Sequence, residues 1–222
     1  MDKTQYNNFA KIFSEYQTPN DTYRKDMHSF LPPLQDKNIL DLGCGDGEDL
    51  KFFLESNALS VSGIDVSKKL IEIAKIKAPN AKAKYADFTK KLDFESNFFD
   101  IVYSQFAIMH EKNVEFIFNE VHRVLKSGGI FLLLVTHPIR QFLDSTSKDY
   151  STDEVYREVF FDEKVIVDEY THRFEEYLSS PILSKFDLCK LKEGYFEDEE
   201  KFNCDWKYPS YLILKYKKLN NF

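Results

Sequence analysis

Short apolar segments alternate with amphipathic helical segments between residues 38 and 136, and this alternation constrains the fold more than any other feature. The clearest helical spacing of apolar side chains covers residues 113–126, with Gly128 as the expected stop. Ile130–Thr136 is apolar almost throughout, as expected of a parallel strand covered on both faces. The chain is therefore predicted to build a parallel sheet with helices on both sides. The predicted strands are Ile39–Leu42, Leu59–Asp65, Ala81–Ala86, Phe98–Ser104 and Ile130–Thr136.

The chain outside this alternation is predicted to cover and complete the sheet. Residues 1–37 have the pattern of helical segments closed by Pro32 and Pro33. Residues 137–176 are rich in charged and aromatic side chains, and segments 155–161 and 164–170 suit a hairpin. A last helix is expected near 178–186. Strands near 187–195 and 210–216 lack a convincing crossover helix between them, so they should pair antiparallel.

These elements predict one α/β domain over residues 1–222. Its seven-stranded sheet is mostly parallel, with an antiparallel last strand and an insertion after strand five. The four predicted parts are an N-terminal helical cap (1–37), a ligand-binding core (38–136), an insertion on the acceptor side (137–176) and a C-terminal completion of the sheet (177–222).

Composition excludes several classes of partner. The net charge of −7 argues against a surface for duplex nucleic acid, which normally needs a basic footprint. Cys44, Cys189 and Cys204 lie far apart and form no CxxC pattern, so neither a disulfide framework nor a metal site is expected. Residues 1–16 do not resemble a signal peptide, and the aliphatic run near 130–135 is too short to span a bilayer. We therefore expect a cytoplasmic protein without membrane or nucleic-acid partners.

The segment 38–47 carries the functional signal. A strand runs into Gly43, Gly45 and Gly47 and a helix follows, so the backbone can approach a ligand beyond the carboxyl end of the strand. A dinucleotide fingerprint would need glycine at position 48, where this chain has Glu48. Four acidic residues surround the loop and would repel a pyrophosphate: Asp41, Asp46, Glu48 and Asp49.

An adenosine ligand that is cationic and free of phosphate suits this acidic setting. S-adenosylmethionine carries an ammonium and a sulfonium group, so the acidic residues favour it over a nicotinamide cofactor. Asp65 ends the second strand, 22 residues after Gly43, where a carboxylate can accept both ribose hydroxyls. Asp87 and Phe88 follow the third strand and can offer a carboxylate and a ring to the adenine. The structural alternatives are an N-cap for Asp87 and a core position for Phe88.

Five segments, in order, resemble the motifs of class I S-adenosylmethionine-dependent methyltransferases, especially the small-molecule branch often called methyltransferase type 11. The resemblance covers roughly residues 36–136. It implies a Rossmann-like fold, S-adenosylmethionine as the cofactor and S-adenosylhomocysteine as the product. The five segments are Asp41–Gly47, Gly63–Ser67, Ala86–Phe88, Phe99–Ser104 and Val121–Gly129.

The resemblance also implies residue roles. The glycine loop, Gly43–Gly47, would line the methionine end of the cofactor, and Asp41 would face its ammonium group. Asp65 would bind the ribose, with Val66 packed on the adenine and Asp87 and Phe88 at the adenine edge. The implied cofactor residues are Tyr16, Arg24, Asp41, Gly43, Cys44, Gly45, Gly47, Asp65, Val66, Asp87, Phe88, Ser104 and Gln105.

Methyl transfer from a sulfonium needs alignment of the acceptor more than activation of the methyl group. A general base helps only when the acceptor must lose a proton. Its candidates are His110, after strand four, and His137, at the end of strand five; each has a structural role as its alternative. Arg140, early in the insertion, could bind an anionic group of the acceptor or form a surface salt bridge.

The residues after strand four narrow the acceptor class. Residues 104–107 read Ser-Gln-Phe-Ala, so the Asn/Asp-Pro-Pro-aromatic segment of base-amine methylation and a cysteine nucleophile for cytosine carbon are both missing. Ser104 and His137 do not provide the carboxylate cluster of a metal-dependent catechol site. A small organic acceptor, methylated at oxygen or nitrogen, remains as the prediction. The alternatives are a non-catalytic cofactor-binding module that serves a partner protein and, disfavoured by Glu48, a nicotinamide oxidoreductase.

Overall fold

The structure, a computed structural model, describes residues 5–16, 21–160, 165–196 and 207–220. Two helices precede the sheet, and strands and helices then alternate. The helices are α1 (Gln5–Tyr16), α2 (Thr22–His28), α3 (Glu48–Glu55), α4 (Lys68–Lys77), α5 (Val114–Val124), α6 (Pro138–Asp144), α7 (Phe174–Tyr177) and α8 (Ser180–Leu183), with a 3₁₀ turn at Ile108–His110. The strands are β1 (Asn38–Leu42), β2 (Ser60–Asp65), β3 (Lys82–Tyr85), β4 (Phe99–Gln105), β5 (Leu125–Thr136), β6 (Val155–Phe160), β7 (Val165–Tyr170), β8 (Phe186–Gly194) and β9 (Tyr211–Lys218).

Seven strands form one sheet in the order β3-β2-β1-β4-β5-β9-β8. Strands β1 to β5 are parallel, whereas β9 runs antiparallel to both β5 and β8. This confirms the predicted seven-stranded, mostly parallel sheet with an antiparallel last strand. The strand order reverses between β1 and β4, and a crevice opens beyond the carboxyl ends of the strands at such a point.

Two apolar layers cover the two faces of the sheet. On one face, α5 buries Val114, Ile117, Phe118, Val121 and Val124 against β4 and β5. On the other face, α2, α3 and α4 pack their apolar side chains against β1 and β2. The Ser67 hydroxyl accepts a hydrogen bond from the Leu70 amide and caps α4, so this helix begins directly after the end of β2. The layers fix the strand ends that carry the site.

Several boundary predictions were correct and two were wrong. Two N-terminal helices and a β6–β7 hairpin are present, as predicted. The predicted helix 113–126 ends at Val124, because Leu125 already pairs with Phe99 and starts β5. Gly128, with φ +72°, lies inside that strand and does not stop the helix. The helix expected near 178–186 is instead two short helices, α7 and α8, and β8 begins at Phe186.

The N-terminal helix α1 lies over the carboxyl edge of the sheet. It packs against α4 on one side and against β7 of the insertion on the other. The 3₁₀ turn after β4 also contacts β7. Cap, core and insertion therefore meet at the same edge. None of the helices in the described ranges has the length and hydropathy needed to cross a membrane.

Candidate cofactor and acceptor site

The loop between β1 and α3 is held in a conformation that glycine permits. Gly43 has φ +79°, and its amide and that of Cys44 both donate hydrogen bonds to the Ile64 carbonyl, at 2.8 and 3.0 Å. A Cβ added at Gly43 would lie 2.3 Å from the Cβ of Ala107. The close approach and the positive φ both require glycine at this position.

A cavity opens beside this loop at the carboxyl edge of the sheet. Its empty volume, counting the open mouth, is about 980 Å³. Most of the predicted site residues line it. Those that do are Arg24, Asp41, Gly43, Cys44, Gly45, Asp65, Val66, Phe88, Gln105 and His110.

Five predicted site residues are not among the lining residues. Gly47 (φ +84°) begins α3, and a Cβ there would lie 2.9 Å from the Cα of Ala74, so it serves helix packing. Asp87 accepts hydrogen bonds from the amide and hydroxyl of Thr89. The Ser104 hydroxyl is buried and donates to the Leu42 carbonyl at 2.9 Å. Tyr16, 37% exposed, ends α1, and His137 caps α6.

The carboxylate of Asp65 is fixed by backbone amides. One oxygen accepts from the Ser67 amide at 2.7 Å, and the other accepts from the Gly45 amide at 3.0 Å. Burial raises the pKa of Asp65 to about 6, although the amide hydrogen bonds oppose this shift. The side chain thus presents a rigid, partly desolvated acceptor group to the cavity.

Asp41 and Asp49 lie near each other, but their pKa values are shifted in opposite directions. Burial and the nearby charge of Asp49 raise the pKa of Asp41 well above its usual range, despite the attraction of Arg24. Burial would raise the pKa of Asp49. The charge of Arg24 and a hydrogen bond with His28 outweigh this effect and hold the pKa below its ordinary value. The Tyr103 hydroxyl also donates to Asp49, at 3.3 Å. Arg24 lines the cavity while its charge is engaged by Asp49.

The other two acidic residues around the loop share one lysine, a contact that the sequence did not predict. Lys77, on α4, forms salt bridges with Asp46 at 2.5 Å and with Glu48 at 2.9 Å. The Ser14 hydroxyl also donates to Asp46, at 2.7 Å. Among the described residues, Asp41 and Asp65 form no salt bridge. Asp46, Glu48 and Asp49 also line the cavity but are paired with cations, whereas Asp41 and Asp65 face it without a salt bridge.

The two candidate bases have different surroundings. His110 lines the cavity, stacks edge-on with Tyr6 (centroids 5.6 Å apart) and places Nδ1 3.2 Å from the Asp168 carbonyl. In His137, Nδ1 accepts from the Ile139 amide at 3.2 Å, so Nε2 carries the proton and donates to Glu193 at 3.0 Å. Burial lowers the pKa of His137, against the raising effect of Glu193. Only His110 therefore has access to the cavity.

Sequence reasoning missed several lining residues. Tyr6 and Phe13 extend from α1 into the cavity, and Phe106, Ala107 and Glu111 reach it from the segment after β4. Tyr6, Phe9 and Phe13 have helical i, i+3, i+7 spacing, and this aromatic face of α1 was the available signal. Across the described ranges, no three His, Cys, Asp or Glu side chains are grouped as a metal site would need.

Comparison with known proteins agrees with this geometry. A family described as methyltransferase domain matches residues 40–133. The ubiquinone biosynthesis O-methyltransferase of Pelagibacter ubique is 28% identical over 173 residues, covering 68% of each chain. The demethylmenaquinone methyltransferase of Leptospira interrogans is 32% identical over 150 residues, 57% of this chain and 58% of the relative. Across the first curated relatives, the matched region spans from 47% to 68% of their length.

Solved structures share the whole fold. An S-adenosylmethionine dependent methyltransferase from Mesorhizobium loti superposes with a TM-score of 0.74, covering 89% of this chain and 98% of that one at 22% identity. At that identity the likeness speaks for the fold alone. The matched methyltransferase domain coincides with the strands and the loop that build the cavity. Residues 40–133 therefore match a methyltransferase domain, and the fold around them is that of the class I S-adenosylmethionine-dependent methyltransferases, whose cofactor is S-adenosylmethionine.

Proposed function

We propose that this protein transfers a methyl group from S-adenosylmethionine to an oxygen or nitrogen of a small organic acceptor. The observation that carries the proposal is a single cavity lined by two kinds of residue. The loop at Gly43 and the carboxylate of Asp65 suit the cofactor, whereas Tyr6, Phe106 and His110 add an aromatic wall for an acceptor. A cofactor and its acceptor must share one cavity for direct transfer.

The cavity residues fit the cofactor chemically. Gly43 and Gly45 leave room for close approach of the methionine part, and Asp41 offers a carboxylate for its ammonium group. Asp65 is held by amides in position to accept the ribose hydroxyls. Val66 and Phe88 supply apolar contact for the adenine. When bound, the cofactor supplies a methyl group already activated on a sulfonium.

The chain's own task is then to orient the acceptor and exclude water. Aromatic side chains from α1 and from the segment after β4 enclose the acceptor side. His110 is the residue we propose to receive a proton when the acceptor must lose one, because it reaches the cavity. His137 holds the start of α6 with Nδ1 and is not part of the proposed machinery.

The named relatives support a small organic acceptor. The two reported above are named for ubiquinone biosynthesis and for demethylmenaquinone, both small organic molecules. Neither name identifies the acceptor of this chain, because the matched regions leave out about a third or more of those proteins. The proposal therefore names the class, oxygen or nitrogen of a small organic molecule.

Two measurements test the proposal in sequence. Isothermal titration should show that S-adenosylmethionine and S-adenosylhomocysteine bind at micromolar levels; failure of both to bind would refute it. Formation of S-adenosylhomocysteine should then be followed over a panel of small oxygen and nitrogen acceptors. Cofactor binding without turnover on any acceptor would instead support a non-catalytic module serving a partner protein. With an active acceptor, His110→Gln should lower kcat while the affinity for S-adenosylhomocysteine stays unchanged.

A further inference from the structure

Unsatisfied buried polar atoms in the described part of the chain are confined to one region. They lie on α1, on the two strands of the insertion hairpin and on α7, and the sheet core contains none of them. Native proteins leave few such atoms, so a cluster of them calls for a physical explanation. The atoms are Gln5 Nε2, Tyr6 OH, Tyr156 OH, Glu169 Oε2 and Tyr177 OH.

Glu169 is at the centre of this cluster. Its side chain is fully buried, and Oε1 accepts a hydrogen bond from Gln141 Nε2 at 2.5 Å. The side-chain oxygen Oε1 of Gln141 accepts a hydrogen bond from the His172 backbone amide at 2.9 Å. This bond fixes the orientation of the Gln141 side-chain amide. Oε2 of Glu169 accepts no hydrogen bond of normal geometry, although the Tyr156 hydroxyl is close enough to interact with this carboxylate. A buried carboxylate oxygen without a donor is costly, so this atom is suited to receive one from a ligand.

Three phenols lie within electrostatic range of this carboxylate. Tyr156 is the direct cross-strand partner of Glu169, yet its hydroxyl forms no hydrogen bond of normal geometry. Burial, followed by the charge of Glu169, raises the pKa values of Tyr6, Tyr156 and Tyr177 well above the usual range. Glu169 is therefore within electrostatic range of all three rings.

No cation compensates Glu169 among the described residues. The nearby guanidinium of Arg140 binds Asp144 at 3.3 Å and Glu158 at 3.4 Å. Burial raises the pKa of Glu158 to about 7, with Glu169 adding to the shift and Arg140 opposing it. The hairpin face thus has an excess of buried negative charge, which would repel a carboxylate or phosphate and attract a cation.

The cluster adjoins the cavity through Tyr6 and His110. Tyr6 belongs to the cluster and also lines the cavity, within electrostatic range of Asp65 as well as Glu169. His110 contacts the Tyr6 ring, and its Nδ1 meets the carbonyl of Asp168, the residue before Glu169. A group that enters from the cavity would reach Glu169 by moving the Tyr6 side chain aside, and the Tyr6 ring would then pack on the bound group.

We propose that Glu169 anchors an acceptor subsite for a protonated amine, which donates an N–H to Oε2 and lies against the phenol rings of Tyr6, Tyr156 and Tyr177. Aromatic faces attract ammonium groups, and a buried carboxylate adds a charge-assisted hydrogen bond. A protonated amine has no free electron pair, so the anchored nitrogen is not the atom methylated. The inference rests on the proposed function, because it names the acceptor class of that same site.

The experiment uses the full chain loaded with S-adenosylhomocysteine. Fluorine NMR measures the Kd of 4-fluorobenzylammonium and of its neutral counterpart, 4-fluorobenzyl alcohol. The test variant is Glu169→Gln, and the matched control is Glu158→Gln, a carboxylate on the same hairpin face. We expect Glu169→Gln to raise the Kd of the ammonium probe by about tenfold. Glu158→Gln should change this Kd by less than about threefold. The alcohol should bind to the parent protein about tenfold more weakly than the ammonium probe. Its Kd should be the same in both variants as in the parent.

Three results would overturn the proposal: no ammonium binding to the loaded protein, equal binding of the alcohol, or an unchanged ammonium Kd in Glu169→Gln. Thermal unfolding checks the variant, which should be more stable than the parent because it lacks an uncompensated buried charge. Should Glu169→Gln fail to fold, Tyr156→Leu, which removes one of the three rings, takes its place, and an unchanged ammonium Kd in that variant would overturn the proposal. Titration of S-adenosylhomocysteine into each protein reports separately on the cofactor site. Its failure would contradict the proposed function, while the probe arms can still be run on the cofactor-free chain.

Discussion

The cofactor side and the acceptor side of the molecule differ in how they hold buried carboxylates. Beside the glycine loop, Asp65 is held by two backbone amides, and Asp46, Glu48 and Asp49 are paired with cations. In the insertion, Glu169 has one neutral hydrogen-bond partner, and its other oxygen and the nearby phenol hydroxyls form no hydrogen bond of normal geometry. On the cofactor side the chain itself holds these four carboxylates, whereas on the acceptor side one carboxylate oxygen is left for a partner from outside.

This difference reflects which structural elements build each side. The cofactor side uses strand ends and a loop that the sheet positions, so its geometry is rigid before any ligand binds. The acceptor side is assembled from α1, a hairpin and a short helix, which meet only after the chain has folded. Variable substrates are commonly met by such added segments on a rigid scaffold. The predictions below test the rigid side first, because the largest effects are expected there.

Gly43→Ala should cause the largest loss. The left-handed conformation costs an alanine about 1–2 kcal/mol, and overpacking against Ala107 adds about 1–3 kcal/mol. We therefore expect the free energy of unfolding to fall by about 3 kcal/mol in a denaturant titration. Gly45→Ala is the matched control, because a Cβ there meets no atom within 4 Å, although φ is also positive at +52°. Equal losses in the two variants would contradict the packing argument, as would failure of Ala107→Gly to recover part of the Gly43→Ala loss.

Asp65 should make cofactor affinity depend on pH. Its pKa is raised to about 6 in the free protein, so the carboxyl is increasingly protonated below that pH. The ribose hydroxyls donate to the ionised form, and binding therefore weakens as pH falls. We expect the Kd of S-adenosylhomocysteine to rise roughly tenfold between pH 7 and pH 5. Asp65→Asn should bind more weakly at pH 7 and lose this dependence; a dependence that persists would point to Asp41.

The cofactor side was predictable because its signals are local in sequence. Gly43, Gly45 and Asp65 follow predicted strands, and the ends of parallel strands meet at one edge whatever the details of packing. The parallel sheet followed from the same alternation, and the antiparallel last strand from the lack of a convincing crossover helix in the sequence before β9. The predicted end of α5 was wrong. This boundary depends on the pairing of Leu125 with Phe99, which lies 26 residues away in the chain.

The acceptor side was not predictable because its contacts join residues that are distant in sequence. The contact of Tyr6 with His110 and the burial of Glu169 depend on how α1 and the hairpin pack on the sheet edge. Lys77 meets Asp46 across 31 positions of sequence, so the acidic collar looked stronger from sequence than it is. His137 shows the limit as well, because a histidine at the end of a strand suits a catalytic role and a helix cap equally.

His137→Ala should lower stability without affecting the cofactor. The substitution removes the cap of α6 and the contact with Glu193, and loss of a cap costs about 1 kcal/mol. Asparagine caps helices well, so His137→Asn should retain much of that stability. Denaturant titration compares the variants, and S-adenosylhomocysteine affinity should be the same in both. A fall in that affinity would place His137 in the cofactor site, contrary to the structure.

Lys77→Met should produce the smallest effect and tests how far the acidic collar reaches. Removal of the lysine leaves Asp46 and Glu48 without their cation, so the cavity becomes more negative. S-adenosylmethionine carries a sulfonium charge that S-adenosylhomocysteine lacks. The affinity for the former should therefore rise about two- to threefold relative to the latter at low salt, and the gain should shrink as salt increases. Lys75→Met, an exposed position on the same helix, controls for the change in net charge. An unchanged affinity ratio would show that Asp46 and Glu48 do not reach the sulfonium, and that Asp41 and Asp65 alone give the cavity its preference for a cation.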